Sequence, residues 1–189
     1  MRKSTFIIIL SVITLHVFVS CEDLVMQKTT GIKNDFQFVD LDSLLKSQVK
    51  VLNGKKLEKK VSIKGKEEKL LLVPDSTDLA SDLKVFSDLN LDQAKYNGEY
   101  DIANSGNTTT FQRKGEKGPQ KVTVTRNNVA QIVSIEGQYN ESNMVFDSFR
   151  KYRLEFDNSS SSIRSYQFSG YQKLIFNDTV FFDIKGKFL

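Results

Sequence analysis

From Glu99 to Leu189 no apolar run goes far before turn residues interrupt it, and this spacing constrains the fold more than any other feature. Lys121 to Arg126 (KVTVTR) alternates polar and apolar side chains. Tyr152, Leu154 and Phe156 alternate with Lys151, Arg153 and Glu155, and Val180, Phe182, Ile184 and Phe188 keep the same period. A period of two puts successive side chains on opposite faces of a strand. Turn chemistry falls at Asn104-Ser105-Gly106-Asn107, Lys114 to Pro119, Asn127-Asn128, Tyr139 to Ser142, Asn158 to Ser162 and Asn177-Asp178. Connections this short join neighbouring antiparallel strands, because a parallel crossover takes about a dozen residues or more. Together with an earlier hairpin, the segments predict a large antiparallel meander of about seven to nine strands.

The first half adds helices. In Asp40 to Leu52 the residues Leu41, Leu44, Leu45, Val49 and Leu52 recur at three and four, so they share one helical face. Asp40 can cap this helix and Gly54 stops it. Leu57 to Val73 reads as a hairpin turning at Lys64-Gly65. Asp75 to Leu89 reads as a second helix capped by Ser76 or Thr77, with Leu79, Leu83 and Phe86 as its apolar stripe. The expected fold is α+β, with two amphipathic helices packed on one face of the meander. A weak repeat, apolar-x-apolar-x-Gly, occurs as VSIKG (61–65), VSIEG (133–137), YQFSG (166–170) and FDIKG (182–186). Glycine on the apolar face permits a bulge or a close approach to the backbone. One reading is a curved sheet with a concavity; the other is strand ends that happen to favour glycine.

The N-terminus supplies an address. Arg2 and Lys3 precede an apolar run from Phe6 to Val19, then Ser20 and Cys21, the chain's single cysteine. The run is short for a membrane span and has the order of a secretory signal. Ser20-Cys21 resembles the lipobox of bacterial lipoproteins, although Phe18 sits where that pattern has Leu, Val or Ile. The resemblance implies a signal peptide over 1–20, cleavage before Cys21, and a diacylglyceryl group on its thiol. Acylation accounts for a lone cysteine in an exported chain. Residues 21–35 then form the lipidated N-terminus and a tether, and residues 36–189 a single α+β domain.

Removing residues 1–20 takes away His16, the only histidine. With Cys21 acylated, no imidazole or free thiol is left for His or Cys metal sites, or for Ser-His-Asp and Cys-His nucleophiles. No phosphate-binding glycine loop is present. No cofactor and no metal are expected, and an enzyme is not. Without Arg2 and Lys3 the 27 basic residues become 25 against 23 acidic, so a charge of +4 falls to +2. Neither that balance nor export favours nucleic acid.

Three groups of residues are candidates for function. Lys59, Lys60, Lys64 and Lys66 crowd one hairpin and are the candidate contact with an anionic surface, either head groups or a polyanionic sugar. The alternative is a solvated face diluted by Glu58, Glu67 and Glu68. Phe146 and Phe149 are out of step, as are Phe181 and Phe182, so some aromatics must face the other side of the sheet; one reading has them stack on sugar rings or line an apolar groove, the other is packing alone. Glu99, Glu136, Glu141 and Glu155 are the strand carboxylates, but nothing in the sequence pairs two across a cleft as glycoside hydrolysis needs. Four Asn-x-Ser/Thr matches, at Asn107, Asn140, Asn158 and Asn177, mark polar turns.

Helix Leu41–Leu52, hairpin Lys59–Lys69, helix Leu79–Leu91 and strand Tyr166–Gly170 together resemble single-domain lipoproteins of Bacteroidota-type bacteria, a family of no assigned activity; Glu22-Asp23 resembles the acidic signals after their acylated cysteine. The resemblance implies a lipid-anchored protein of the cell envelope at the outer membrane, with the bilayer as partner through acylated Cys21. The expected role is a non-enzymatic structural or binding module with an envelope protein, glycan or lipid partner. The alternatives are a carrier of a lipid or other apolar ligand in a concave sheet, and a carboxylate-based carbohydrate-active enzyme.

Overall fold

The computed structural model describes residues 38–189, Lys117 apart. The expected signal segment, Cys21 and the tether over 21–35 lie outside the described residues. In chain order the elements are α1 (Leu41–Leu52), β1 (Leu57–Ile63), β2 (Lys66–Leu72), α2 (Ser76–Lys84), two 3-10 turns (Val85–Leu89 and Ala94–Tyr96), β3 (Tyr100–Ser105), β4 (Thr108–Arg113), β5 (Gly118–Arg126), β6 (Ile132–Ser142), β7 (Phe146–Phe156), β8 (Ile163–Leu174) and β9 (Val180–Phe188).

All nine strands form one antiparallel sheet in the order β2-β1-β9-β8-β7-β6-β5-β4-β3. Strands β3 to β9 are the meander, each hydrogen-bonded to the next. The β1–β2 hairpin adds to the far side of β9, with Leu57 opposite Phe188 and Ile63 opposite Phe182. The sheet is open, ending at edges β2 and β3, and does not curl round a hollow. The fold class is α+β.

The caps show how local chemistry sets the helices. Asp40 accepts a hydrogen bond from the Ser43 N–H at 3.0 Å, as its position predicts. The second helix is capped one residue earlier than expected: Asp75, not Ser76 or Thr77, accepts from the N–H groups of Thr77 and Asp78, both at 2.8 Å. The segment over 75–89 is also not one helix. Its α-helix stops at Lys84 and tightens into the 3-10 turn Val85–Leu89. In a 3-10 turn residues i and i+3 eclipse, so Phe86 and Leu89 point the same way, and both are fully buried.

Helix α1 buries Leu41, Leu45 and Leu52 as its spacing predicts, but Gln48 takes the fourth buried place while Leu44 and Val49 lie half-buried at the flank. The Gln48 amide donates to the Ser161 carbonyl at 3.3 Å, and its oxygen accepts from the Ile163 N–H at 2.8 Å. Backbone groups of the β7–β8 turn are thereby paired across a long loop of chain, each bond contributing about 1 kcal/mol.

Strand register sorts the side chains into two faces. Leu57, Phe188, Tyr166, Leu154, Ile135 and Val124 share one parity across β1, β9, β8, β7, β6 and β5, with Leu57 opposite Phe188 and Tyr166, Leu154, Ile135 and Val124 in one row behind Gly186; all six are buried. On this apolar face Phe86 makes edge contacts with Tyr152 and Tyr166 at ring distances of 6.0 and 6.1 Å. Each of those tyrosines also donates its hydroxyl to an aspartate of the α2 segment: Tyr166 to Asp82 at 2.8 Å and Tyr152 to Asp88 at 2.6 Å. Burial first, and then the neighbouring carboxylate, pushes both phenols well above the usual tyrosine range.

The glycine repeat has a packing explanation. A Cβ on Gly137 would overlap the side chain of Leu89, and one on Gly186 would overlap the Tyr166 ring. Here the close approach that glycine permits is made by the protein's own side chains, not by a hollow left for a ligand. Gly65 instead occupies the β1–β2 turn with φ +77°. One expected turn is strand: Tyr139 to Ser142 continue β6, pairing with β7 down to Ser142 opposite Asp147, and the reversal comes at 143–145. Polar residues end a strand only when the partner strand also stops, and β7 does not.

Candidate functional site: the polar face of the sheet

The residues of the other parity build the candidate site. Three rows cross the strands from β1 towards β5: Glu58-Lys187-Ser165-Glu155-Ser134-Thr125, Lys60-Lys185-Gln167-Arg153-Glu136-Thr123 and Ser62-Asp183-Ser169-Lys151-Gln138-Lys121. Every position is charged, amide or hydroxyl. Alternation alone dictates this: where one parity is consumed by the apolar face, the other meets water.

A fourth row closes one end. Phe149, Tyr171 and Phe181 stand side by side on β7, β8 and β9. Their rings follow at 6.2 and 6.1 Å, and the Lys151 ammonium lies 5.4 Å from the Phe149 ring. The Tyr171 hydroxyl donates to Asp147 at 3.1 Å. Phe181 is 62% exposed. The expectation that Phe149 and Phe181 leave the step of their neighbours is met, and the register shows what they join.

Two open depressions lie on this face. One, of about 260 Å³, is lined by residues including Lys121, Glu136, Gln138, Lys151, Arg153 and Gln167. The other, of about 400 Å³, runs past Glu58, Lys60, Arg153, Glu155, Lys185 and Lys187. Together they set six cations against three carboxylates. Arg153 is shared: it pairs with Glu155 at 2.8 Å and Glu136 at 3.6 Å. Glu155 also accepts from the Ser165 hydroxyl at 2.7 Å, which above all holds its carboxyl below the usual range. Lys60 pairs with Glu67 at 2.9 Å and Lys185 with Asp183 at 2.9 Å. Among the described residues Lys121, Lys151 and Lys187 take no carboxylate partner.

The structure divides the lysine hairpin. Lys59 belongs to the apolar face, where its ammonium meets both Asp82 oxygens at 2.6 and 2.7 Å. Lys60 belongs to the polar face, and Lys64 and Lys66 are exposed at the β1–β2 turn. The four therefore do not form one patch. Of the strand carboxylates, Glu136 and Glu155 are brought to the same guanidinium, while Glu99 pairs with Arg113 at 3.6 Å near β3. Sequence reasoning missed Lys121, Lys151, Arg153 and Lys187 as a set. Their parity was legible, but their adjacency depends on register across four hairpins. No family matches the chain, and neither the curated proteins nor the solved structures give a match.

Proposed function

We propose that this chain is an envelope lipoprotein, acylated at Cys21 and held at the outer membrane, whose domain is a non-enzymatic module binding an anionic glycan. In this reading α1 and α2 together cover the apolar face and leave the polar face free. One observation carries the assignment: six cations, three without a carboxylate partner, share a face with amide and hydroxyl side chains and end on a row of three aromatics. Acidic sugars offer what such a face takes, namely carboxylates for the lysines, hydroxyls for Gln and Ser, and ring faces for the aromatics. Five strand spacings from β1 to β5 cover about 24 Å, room for several sugar rings laid across the strands.

The other readings draw less support. A carrier of acyl chains needs an apolar hollow, whereas both depressions here are open and lined by charges. A glycosidase needs a carboxyl kept protonated as acid, whereas Glu155 is held ionised by its partners.

Affinity electrophoresis through gels containing alginate, heparin or neutral dextran tests the proposal. The domain should be retarded by at least one acidic polymer, less so as salt rises, and not by dextran. Lys121→Glu with Lys151→Glu should abolish the retardation while the circular dichroism spectrum is kept. Retardation by none of the polymers, or retardation indifferent to the charge reversal, overturns the reading.

A further inference from the structure

Three hairpin turns gather at one end of the sheet: 64–65 between β1 and β2, 143–145 between β6 and β7, and 175–179 between β8 and β9. A backbone hydrogen bond ties the β8–β9 turn to the β6–β7 turn, Ile175 N–H to the Val145 carbonyl at 3.1 Å, and the Lys64 N–H bonds the Phe181 carbonyl at the start of β9 at 3.0 Å. Two of the tips, those of the β6–β7 and β8–β9 turns, are apolar, while the β1–β2 tip is Lys64-Gly65. Met144 and Phe176 are each 92% exposed, and Val145 and Ile175 are more than half exposed. Hairpin turns are ordinarily polar, and the adjoining Asn177-Asp178 shows that polar residues fit here. Large apolar side chains clustered in solvent mark a surface that meets something apolar.

We propose that this end enters the interface of a lipid bilayer, with Met144, Ile175 and Phe176 reaching the acyl boundary and Lys64, Lys66 and Lys173 at head-group level. The shape argues for lipid over a folded partner. Met144 and Phe176 stand almost wholly clear of the fold at the tips of two adjoining turns, which a fluid interface accommodates more readily than a packed protein surface does. The charges agree. Of the carboxylates near these turns, Glu67 is engaged by Lys60 and Asp147 by the Tyr171 hydroxyl, Asp178 lines a depression of about 470 Å³ with Lys64, and Glu141 stands exposed near the end of β6. Chain length allows it as well. This step rests on the anchoring reading, under which Cys21 lies seventeen residues before Phe38, a reach of at most about 60 Å. The longest strands span only about 40 Å. The tether therefore lets this end of the sheet face the membrane. An inserted end would stand the polar face roughly upright on the bilayer, open to a ligand from the side.

The test uses residues 21–189 with Cys21→Ser, so that no acyl chain contributes. Phe38–Leu189 is one compact unit, and its buried residues lie within it. The chain has no tryptophan, so Phe176→Trp installs a single fluorophore at a tip, and Val129→Trp, at a 72% exposed position in the β5–β6 turn at the other end, is the control. On adding phosphatidylcholine vesicles containing phosphatidylglycerol, emission of the Phe176→Trp protein should move to the blue and that of the Val129→Trp protein should not. Met144→Asp with Phe176→Asp should lower vesicle partitioning at least tenfold. Both positions are exposed, so circular dichroism should be unchanged. An unmoved Phe176→Trp emission, or equal shifts at both positions, overturns the proposal. A blue shift that grows with protein concentration in the absence of vesicles also overturns it, in favour of self-association. Failure of Cys21 acylation in cells with a blue shift here would sink the anchor and keep the insertion; the converse would do the opposite.

Discussion

Gly137 offers the sharpest test of how the chain packs. A methyl group there would sit 2.6 Å from Leu89 Cδ1 and 2.9 Å from Cγ, closer than carbon atoms pack. Leu89 has no exposure and is held by the 3-10 turn that also seats Phe86, so it cannot swing into solvent. Overpacking of this kind costs about 1–3 kcal/mol. Alanine regains about 0.5–1 kcal/mol of the conformational entropy that glycine loses in a strand. The overlap is with a buried branched side chain rather than a flexible tip, so the clash wins. Gly137→Ala should destabilise by about 1–2 kcal/mol, a fall in Tm of roughly 2–8 °C for a domain of this size.

A double-mutant cycle separates this mechanism from a general intolerance of the strand. Leu89→Ala alone should cost about 2–5 kcal/mol through the cavity it leaves. In the double variant the new methyl enters that space, so its cost should fall short of the sum of the two single costs by about 1 kcal/mol or more. Urea unfolding followed by circular dichroism gives all four stabilities. If Gly137→Ala is as stable as the parent, or the two costs add within about 0.5 kcal/mol, the glycine does not exist to admit Leu89.

Two further outcomes are expected, one from the buried tyrosines and one from the anchoring reading. Tyr152 and Tyr166 have phenols raised in the fold above their unfolded value, so the stability they contribute is fully present below about pH 10 and is lost as pH rises beyond it, when the unfolded phenols ionise and the folded ones do not; unfolding midpoints should fall steeply above that pH in the parent and less steeply in Tyr152→Phe. Cys21→Ser should lose palmitate labelling and keep only a membrane association that high-salt and carbonate washing removes, as read by fractionation, and a variant still found with membranes after that washing would refute acylation as the anchor.

The strands and helices were legible because each rests on local chemistry. Alternation in KVTVTR and over 151–156 needs only neighbours in the chain, and so does the Leu41, Leu45, Leu52 stripe. What escaped was set by distant partners. Gln48 reads as a polar interruption of α1 until the β7–β8 turn, more than a hundred residues on, supplies the Ser161 carbonyl and the Ile163 N–H. The exception is local: Asp75 outcompetes Ser76 and Thr77 as cap because its carboxylate reaches two N–H groups at once, two and three residues on. The lysine hairpin looked like one basic patch because a sequence is written on a line. A strand turns Lys59 and Lys60 to opposite faces, and Asp82 of α2 claims the first.

The polar face shows the same limit at the scale of the site. Phe149, Tyr171 and Phe181 are separated by 22 and 10 positions, yet they form one row because two hairpins fix β7, β8 and β9 in register. A one-residue slip in either hairpin would send that strand's aromatic to the opposite face. The apolar face prevents the slip: Tyr166 and Tyr152 are pinned by Asp82 and Asp88, and the glycines opposite them, Gly186 and Gly137, leave room for one packing and not its neighbour. The packing of the apolar face thus determines which residues meet on the polar face. A substitution at Gly186 or Asp82, on the apolar side, would therefore act on the polar face through the register of β8 and β9.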